Sequence, residues 1–208
     1  MQLIKYTHAC VRVEHDDNTL LIDPGTWAED AAFVGSDDVL ITHEHFDHVD
    51  SDRLVTAANE NPSLRVFAPA NVAESLTEVG LNATAVSVGD TFTAGGFSVT
   101  AVGGKHAIIY NGVPDCANLG YLVDGIYHPG DSFFVPTQDV ETLLVPTAAP
   151  WFSLAECIDF VKAVGPARAF SIHDAGLSAR GELSVDRWLE GAAGTDYRRI
   201  PVGTAQSL

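Results

Sequence analysis

The chain is short of several things, and each shortage narrows what it can be. Only 3 of its 208 residues are cysteine (Cys10, Cys116 and Cys157), widely spaced and without a Cys-x-x-Cys pair. That excludes a disulfide framework and fits a reducing compartment. Each thiol reads as a small buried hydrophobe, and none is a candidate nucleophile. Basic residues are scarce too: 11 Lys and Arg stand against 28 Asp and Glu, a formal net charge of −17, and only Arg198 and Arg199 are adjacent. A polyanion without a basic patch repels phosphate backbones, so nucleic acid is a poor candidate partner. No apolar run approaches the roughly 18 residues that a membrane span needs. The opening Met1-Gln2-Leu3-Ile4-Lys5-Tyr6 lacks the basic-then-apolar layout of a secretory signal, so a cytoplasmic location is expected.

What is present suits a globular core: 46% of residues are hydrophobic, with no linker, low-complexity tract or exact repeat. Residues 1–208 are expected to form a single domain, and a homo-oligomer is compatible with the sequence. Short β-type runs recur at residues 2–7, 11–15, 19–23, 38–42, 64–68, 83–88, 97–102, 119–123, 126–128, 142–145 and 169–172. Polar turns at His15-Asp16-Asp17-Asn18 and Val123-Asp124-Gly125 predict hairpins. Helical spacing appears at 51–59, 71–79 and 184–189. It appears again at 153–164, where Ser153 and Glu156 form a capping box ahead of Gly165-Pro166. Many strands with helices interspersed predict an α+β fold of two sheets covered by helices.

The densest feature is Ile41-Thr42-His43-Glu44-His45-Phe46-Asp47-His48: three histidines and two carboxylates within six residues, directly after an apolar run. Imidazole and carboxylate together suit zinc, and also iron or manganese. One such motif cannot complete two metal sites. Downstream, His106 follows a strand and a Gly103-Gly104 turn, Asp131 follows His128-Pro129-Gly130, and His173 ends an apolar strand. Strand ends that meet polar turns are where a rigid scaffold carries functional groups.

In order and context these residues resemble the metallo-β-lactamase-fold hydrolase superfamily, from Leu21-Ile22-Asp23-Pro24-Gly25 to His173. Within it, the short branch of L-ascorbate 6-phosphate lactonase-like proteins is the most similar. The resemblance implies a four-layer αββα sandwich of two mixed sheets flanked by helices. It implies two divalent metal ions, with zinc favoured and manganese or iron as alternatives. His43, His45 and His106 would hold one ion, Asp47, His48 and His173 the other, and Asp131 would bridge them. Such ions acidify a shared water toward neutral pH. Asp47 and Asp131 would be the catalytic carboxylates, Asp47 orienting the nucleophile or accepting its proton.

The remaining candidates are weaker. Asp23 reads either as a turn former or as a residue that orients a ligand imidazole. His8 is more simply a packed or surface histidine, with a supporting place beside the site as the alternative. His128 reads as packing or support. Asp174 is either a partner of His173 or a solvent-facing turn residue. Trp27, Phe133, Phe134, Trp151 and Phe152 flank the proposed ligands and would line a pocket or fill core. Lys105 is either a contact for an anionic substrate or a solvated lysine. Glu44 and Phe46 are spacers expected to point away from the metals.

The expected activity is hydrolysis of a small-molecule lactone, ester or phosphoester. A ribonuclease Z-like phosphodiesterase shares the same motif, but the charge of −17 opposes it. A non-catalytic metal-binding or sensor protein on the same scaffold is the alternative of another class.

Overall fold

A computed structural model describes residues 1–111 and 116–208. Among these, fourteen strands make two seven-stranded sheets. The first contains β1 (Gln2–Lys5), β2 (Val11–His15), β3 (Asn18–Ile22), β4 (Asp38–Leu40), β5 (Arg65–Ala68), β6 (Ala83–Ala85) and β14 (Thr204–Ser207), in the order β14-β1-β2-β3-β4-β5-β6. The second contains β7 (Thr91–Ala94), β8 (Phe97–Gly103), β9 (Leu119–Val123), β10 (Ile126–His128), β11 (Thr142–Pro146), β12 (Arg168–Ile172) and β13 (Asp196–Arg198), in the order β13-β12-β11-β10-β9-β8-β7. Each sheet is mixed. Pairing is antiparallel from β14 to β3 and from β7 to β10, then parallel through β6 and β13.

The change from antiparallel to parallel follows from the connections. Tight turns join β2 to β3 and β9 to β10, with Asp16 (φ 54°) and Asp124 (φ 42°) in the left-handed region that Asp tolerates. Parallel neighbours need longer crossovers. Four of these contain α-helices: α1 (Ser51–Glu60) between β4 and β5, α2 (Ala70–Glu78) between β5 and β6, α3 (Leu154–Val164) between β11 and β12, and α4 (Ala179–Ala192) between β12 and β13. Asp50, Ser153 and Ser178 cap α1, α3 and α4, each accepting a backbone N–H from three residues on.

Alternation along the strands sorts side chains into three cores. Leu20, Ile22 and Leu40 meet Val99, Tyr121, Leu144 and Phe170 between the sheets. Leu21, Val39 and Ile41 point the other way, against Leu54, Val72 and Leu76 of α1 and α2. Leu143, Val145 and Ala169 pack on Phe160, Val161, Val185 and Leu189 of α3 and α4. The layers therefore run α-β-β-α, as the resemblance implies. Cys10 and Cys157 are buried and Cys116 is partly buried, and none of the three forms a disulfide among the described residues. No helix among the described residues is long and apolar enough to cross a membrane.

The structure departs from the sequence pattern mostly at edges. Strands β7, β13 and β14 escape it, because they are short and partly polar, and β13 and β14 close outer positions of their sheets. Helix α4 begins at Ala179, five residues before the predicted 184, and β6 ends at Ala85 instead of 88. The Arg180-Gly181-Glu182 stretch hides the first turn of α4, since a glycine inside a helix costs about 1 kcal/mol and masks the pattern.

Candidate metal centre

The loops that follow β1, β3, β4, β8, β10 and β12 converge on one edge of the two sheets. There the structure brings together all seven sequence-predicted ligand residues, together with His8. The donor atoms of His43, His45 and His106 lie within 4.8 Å of one another, as do those of His8, Asp47, His48 and His173. His43, His48 and Asp131 form a third such group that joins the two. Asp131 stands in the middle. Its Oδ1 lies 3.1 Å from both His48 Nε2 and His173 Nε2, and its Oδ2 lies 3.3 Å from His106 Nε2.

Hydrogen bonds behind the imidazoles fix which nitrogen faces inward. His48 Nδ1–H donates to Asp23 Oδ2 at 2.7 Å, His106 Nδ1–H to Ala107 O at 2.6 Å, and His173 Nδ1–H to Ala148 O. Thr42 Oγ1–H donates to Asp23 Oδ2 at 2.7 Å, so it accepts from His43 Nδ1–H at 2.9 Å. In all four rings the proton sits on Nδ1 and the Nε2 lone pair faces the cluster. His45 differs, presenting Nδ1 3.0 Å from His43 Nε2.

Those inward atoms lack partners. His48 Nε2, His106 Nε2, His173 Nε2 and Asp131 Oδ1 are buried without a hydrogen bond. A buried polar atom left unpaired costs about 1–3 kcal/mol, and several around one point call for a cation. Imidazole nitrogens and carboxylates are a donor set that fits zinc, manganese or iron.

Electrostatics divides the histidines into two groups. Burial pulls His43 well below the usual histidine range, with repulsion from His48 adding to it. Burial also lowers His45, helped by His106. Both are thus held neutral, as ligand imidazoles must be. At Asp47, burial favours the neutral acid but is outweighed by the His8 hydrogen bond and the charge of His48, which bring it down to about 2. Asp131 likewise falls well below the carboxylate range, His48 and its histidine contacts overriding burial. His48 and His106 rise despite burial, because Asp131 favours positive charge beside it, so a cation at their Nε2 atoms would compete with a proton there.

The supporting residues explain the local folding. Asp23 is fully buried, its Oδ1 accepting the Thr42 N–H at 2.7 Å, so one carboxylate orients His48 directly and His43 through Thr42. His8 Nδ1 faces the Ala175 N–H at 3.4 Å, which leaves Nε2–H for Asp47 Oδ2 at 3.1 Å. Glu29 accepts both the N–H and the hydroxyl of Thr7, which steadies the turn that carries His8. His128 spends both nitrogens elsewhere, donating to Ala9 O and accepting from Gly130 N–H, so it holds the Asp131 turn and offers no lone pair. Asn118 secures the same turn, accepting the Asp131 N–H at 2.9 Å and donating to Pro129 O at 2.9 Å. Sequence reasoning missed Thr42 and Asn118; polar residues of these types are mostly exposed, and only burial reveals them.

Two glycines make room for this packing. A Cβ on Gly25 would lie 2.0 Å from Asp47 O and 2.6 Å from His48 N, both backbone. Gly130, at φ 60°, would place one 2.3 Å from Asn118 Oδ1. Gly25→Ala should therefore push the motif loop outward, lowering stability by about 3 kcal/mol. Thermal denaturation with and without added zinc checks this, and an unchanged Tm and zinc response would rule the crowding out.

Phe46 does not turn away: it lines the cavity over the cluster, packed against Trp27 at 5.5 Å. Of the five predicted pocket aromatics, Trp27 and Trp151 line that cavity, while Phe133 and Phe152 pack with the α3–α4 core and Phe134 stays outside the lining. Trp151 also donates its indole N–H to Asp131 Oδ2 at 3.0 Å. Asp174 is neither a partner of the His173 ring nor solvent-facing; it is buried between Lys5, at 3.0 Å, and Arg199. Glu44 bonds the Asn71 side chain, away from the cluster.

Two mixed sheets between helices, with a histidine and aspartate cluster at their shared edge, define a metallo-β-lactamase-fold protein. A model of the beta-lactamase superfamily domain matches residues 2–173, and the chain belongs to that family. It is 40% identical over 214 residues to the protein Rv0786c of Mycobacterium tuberculosis, covering 99% of each chain. It is 31% identical over 148 residues to a UPF0173 metal-dependent hydrolase of Thermoplasma volcanium, covering 67% of this chain and 65% of that one. Among solved structures, Igni18, a metallo hydrolase from the archaeon Ignicoccus hospitalis, superposes with a TM-score of 0.78 at 18% identity, over 99% of this chain and 97% of its own. That last likeness speaks for the fold alone. None of the three carries the name of the ascorbate 6-phosphate lactonase-like branch.

Proposed function

We propose that this chain is a metal-dependent hydrolase that turns over a small molecule at a dinuclear centre. The single observation that carries the reading is the set of buried imidazoles anchored through Nδ1, with unpaired Nε2 atoms gathered around Asp131. The relatives named metal-dependent hydrolases support the reaction class. His43, His45 and His106 would hold one ion and Asp47, His48 and His173 the other, with Asp131 between them. Zinc is the first choice by donor chemistry, with manganese or iron as alternatives. Bound there, the ions would lower the pKa of a water and polarise the scissile bond of a lactone, ester or phosphoester.

The chain's own groups do the rest. Asp47 stays ionised at any pH well above 2. Its carboxylate orients the attacking water and receives its proton, while His8 holds the Oδ2 side in place. Asp23 and Thr42 keep His43 and His48 in the tautomer that leaves Nε2 free. Trp151 and Asn118 hold Asp131 by its side chain and its backbone.

The test is turnover of p-nitrophenyl esters, simple lactones and bis-p-nitrophenyl phosphate by the purified protein. Activity toward at least one class should disappear after chelation and return with zinc or manganese. Intact metal content with no turnover across the panel would instead favour the non-catalytic sensor.

A further inference from the structure

A cavity of about 580 Å³ opens directly over the cluster, with His8, His45, Asp47, Asp131 and His173 at its base. Its other walls are largely apolar: Trp27, Phe46, Ile109, Pro150 and Trp151. No Lys or Arg among the described residues lines it, and its fixed charges are acidic. The apolar groups are held in place by the site itself. Trp27 meets the His8 ring edge-on at 4.8 Å and Phe46 at 5.5 Å. Trp151 is tied to Asp131 by its indole N–H and backed by Phe133 at 5.1 Å.

Trp27 is 45% exposed, Phe46 59% and Ile109 40%, an apolar group left facing solvent around a polar floor. Exposed apolar surface gathered in a concave place marks a ligand site more often than an unpaired fold face. We infer that this cavity selects uncharged acyl compounds, esters or lactones bearing an aromatic group or an alkyl chain, and rejects substrates with a phosphate or carboxylate remote from the reacting bond. The metals would engage the reacting group, and the walls would bury the apolar remainder. A distant anion would find no cation there, and would enter against the field of a chain with net charge −17. The word substrate rests on the hydrolase reading above; the apolar selection stands on the walls.

Two measurements separate the inference from that reading. The first needs no catalysis: binding of ω-phenylalkanols, from benzyl alcohol to 5-phenylpentanol, followed by indole fluorescence in the zinc-loaded Trp188→Phe protein. Trp188 is exposed on α4, outside the cavity, so its removal leaves the signals of Trp27 and Trp151. Affinity should rise with each methylene, by up to about fourfold per step. Phe46→Ala and Trp27→Ala, both at half-exposed positions where folding tolerates change, should each weaken it by roughly tenfold. The second is kcat/KM for p-nitrophenyl acetate, butyrate and hexanoate against the p-nitrophenyl monoester of succinate. It should climb along the neutral series and fall by about 10²-fold for the carboxylate-bearing ester.

Affinity that ignores chain length and both substitutions, or equal turnover of the succinate ester, overturns the inference. If the alkanol series behaves as expected but no ester is cleaved, the apolar site stands and the hydrolase reading falls.

Discussion

Asp131→Ala is expected to lower kcat/KM about 10³-fold or more and to leave the protein with fewer than two bound ions per chain. Among the described residues, Asp131 is the one carboxylate whose oxygens approach histidines of both donor groups, His48 and His173 through Oδ1 and His106 through Oδ2. Its removal takes away the negative charge around which those imidazoles gather, and the two ions would then repel each other without a shared anion. The fold should survive, because the backbone at this point is held separately by Asn118 Oδ1 and by His128 through Gly130. Asp131→Asn, which keeps the shape but not the charge, should fall between alanine and the native residue. Steady-state kinetics and elemental analysis of the same preparations check both parts, and native turnover with two ions retained would refute the bridging role.

Asp23→Ala should act on stability and on metal affinity together. Asp23 is fully buried and accepts three hydrogen bonds, from the Thr42 N–H, the Thr42 hydroxyl and His48 Nδ1–H. Alanine leaves these donors unsatisfied at a fully buried position, which costs about 3–5 kcal/mol. It also puts an alanine at φ 50°, where Asp is tolerated and alanine is strained by about 1–2 kcal/mol. Loss of the partner that orients a ligand imidazole typically weakens metal binding by about 10–100-fold. Asp23→Asn separates the two effects. Its amide can still accept from Thr42 N–H, but it turns an N–H toward His48 Nδ1 and drives the proton to Nε2. Metal affinity should then fall further than stability does. Urea denaturation of the metal-free protein and zinc titration of the folded protein read the two quantities independently. A variant that binds zinc normally would show that the His48 tautomer is set elsewhere.

Much of this was legible in the chain, for physical reasons that differ from part to part. The inner strands could be read because β2, β9 and β10 alternate or run apolar between turn residues that accept positive φ. The edges could not: β14 pairs with β1 from the opposite end of the chain, a contact that no local pattern encodes. His43, His45, Asp47 and His48 were visible as a linear motif, since one loop after β4 carries them all. His106, Asp131 and His173 could be named only as polar residues at strand ends, and by resemblance, because three-dimensional convergence makes them neighbours. Thr42 and Asn118 were invisible, since a threonine or asparagine has a structural role only once burial removes its water. Phe46 was misread because a spacer between ligands need not point away: on an irregular loop, no strand alternation governs it.

In the proposed dinuclear centre two ions would share this cluster, with Asp131 between them. The most direct measurement is an anomalous difference map from crystals of the zinc-loaded protein. Two peaks roughly 3.5–4 Å apart are predicted, one among His43, His45 and His106 and one among Asp47, His48 and His173, both in contact with Asp131. A single peak at full zinc occupancy, or a second one away from His173 and Asp47, would contradict it.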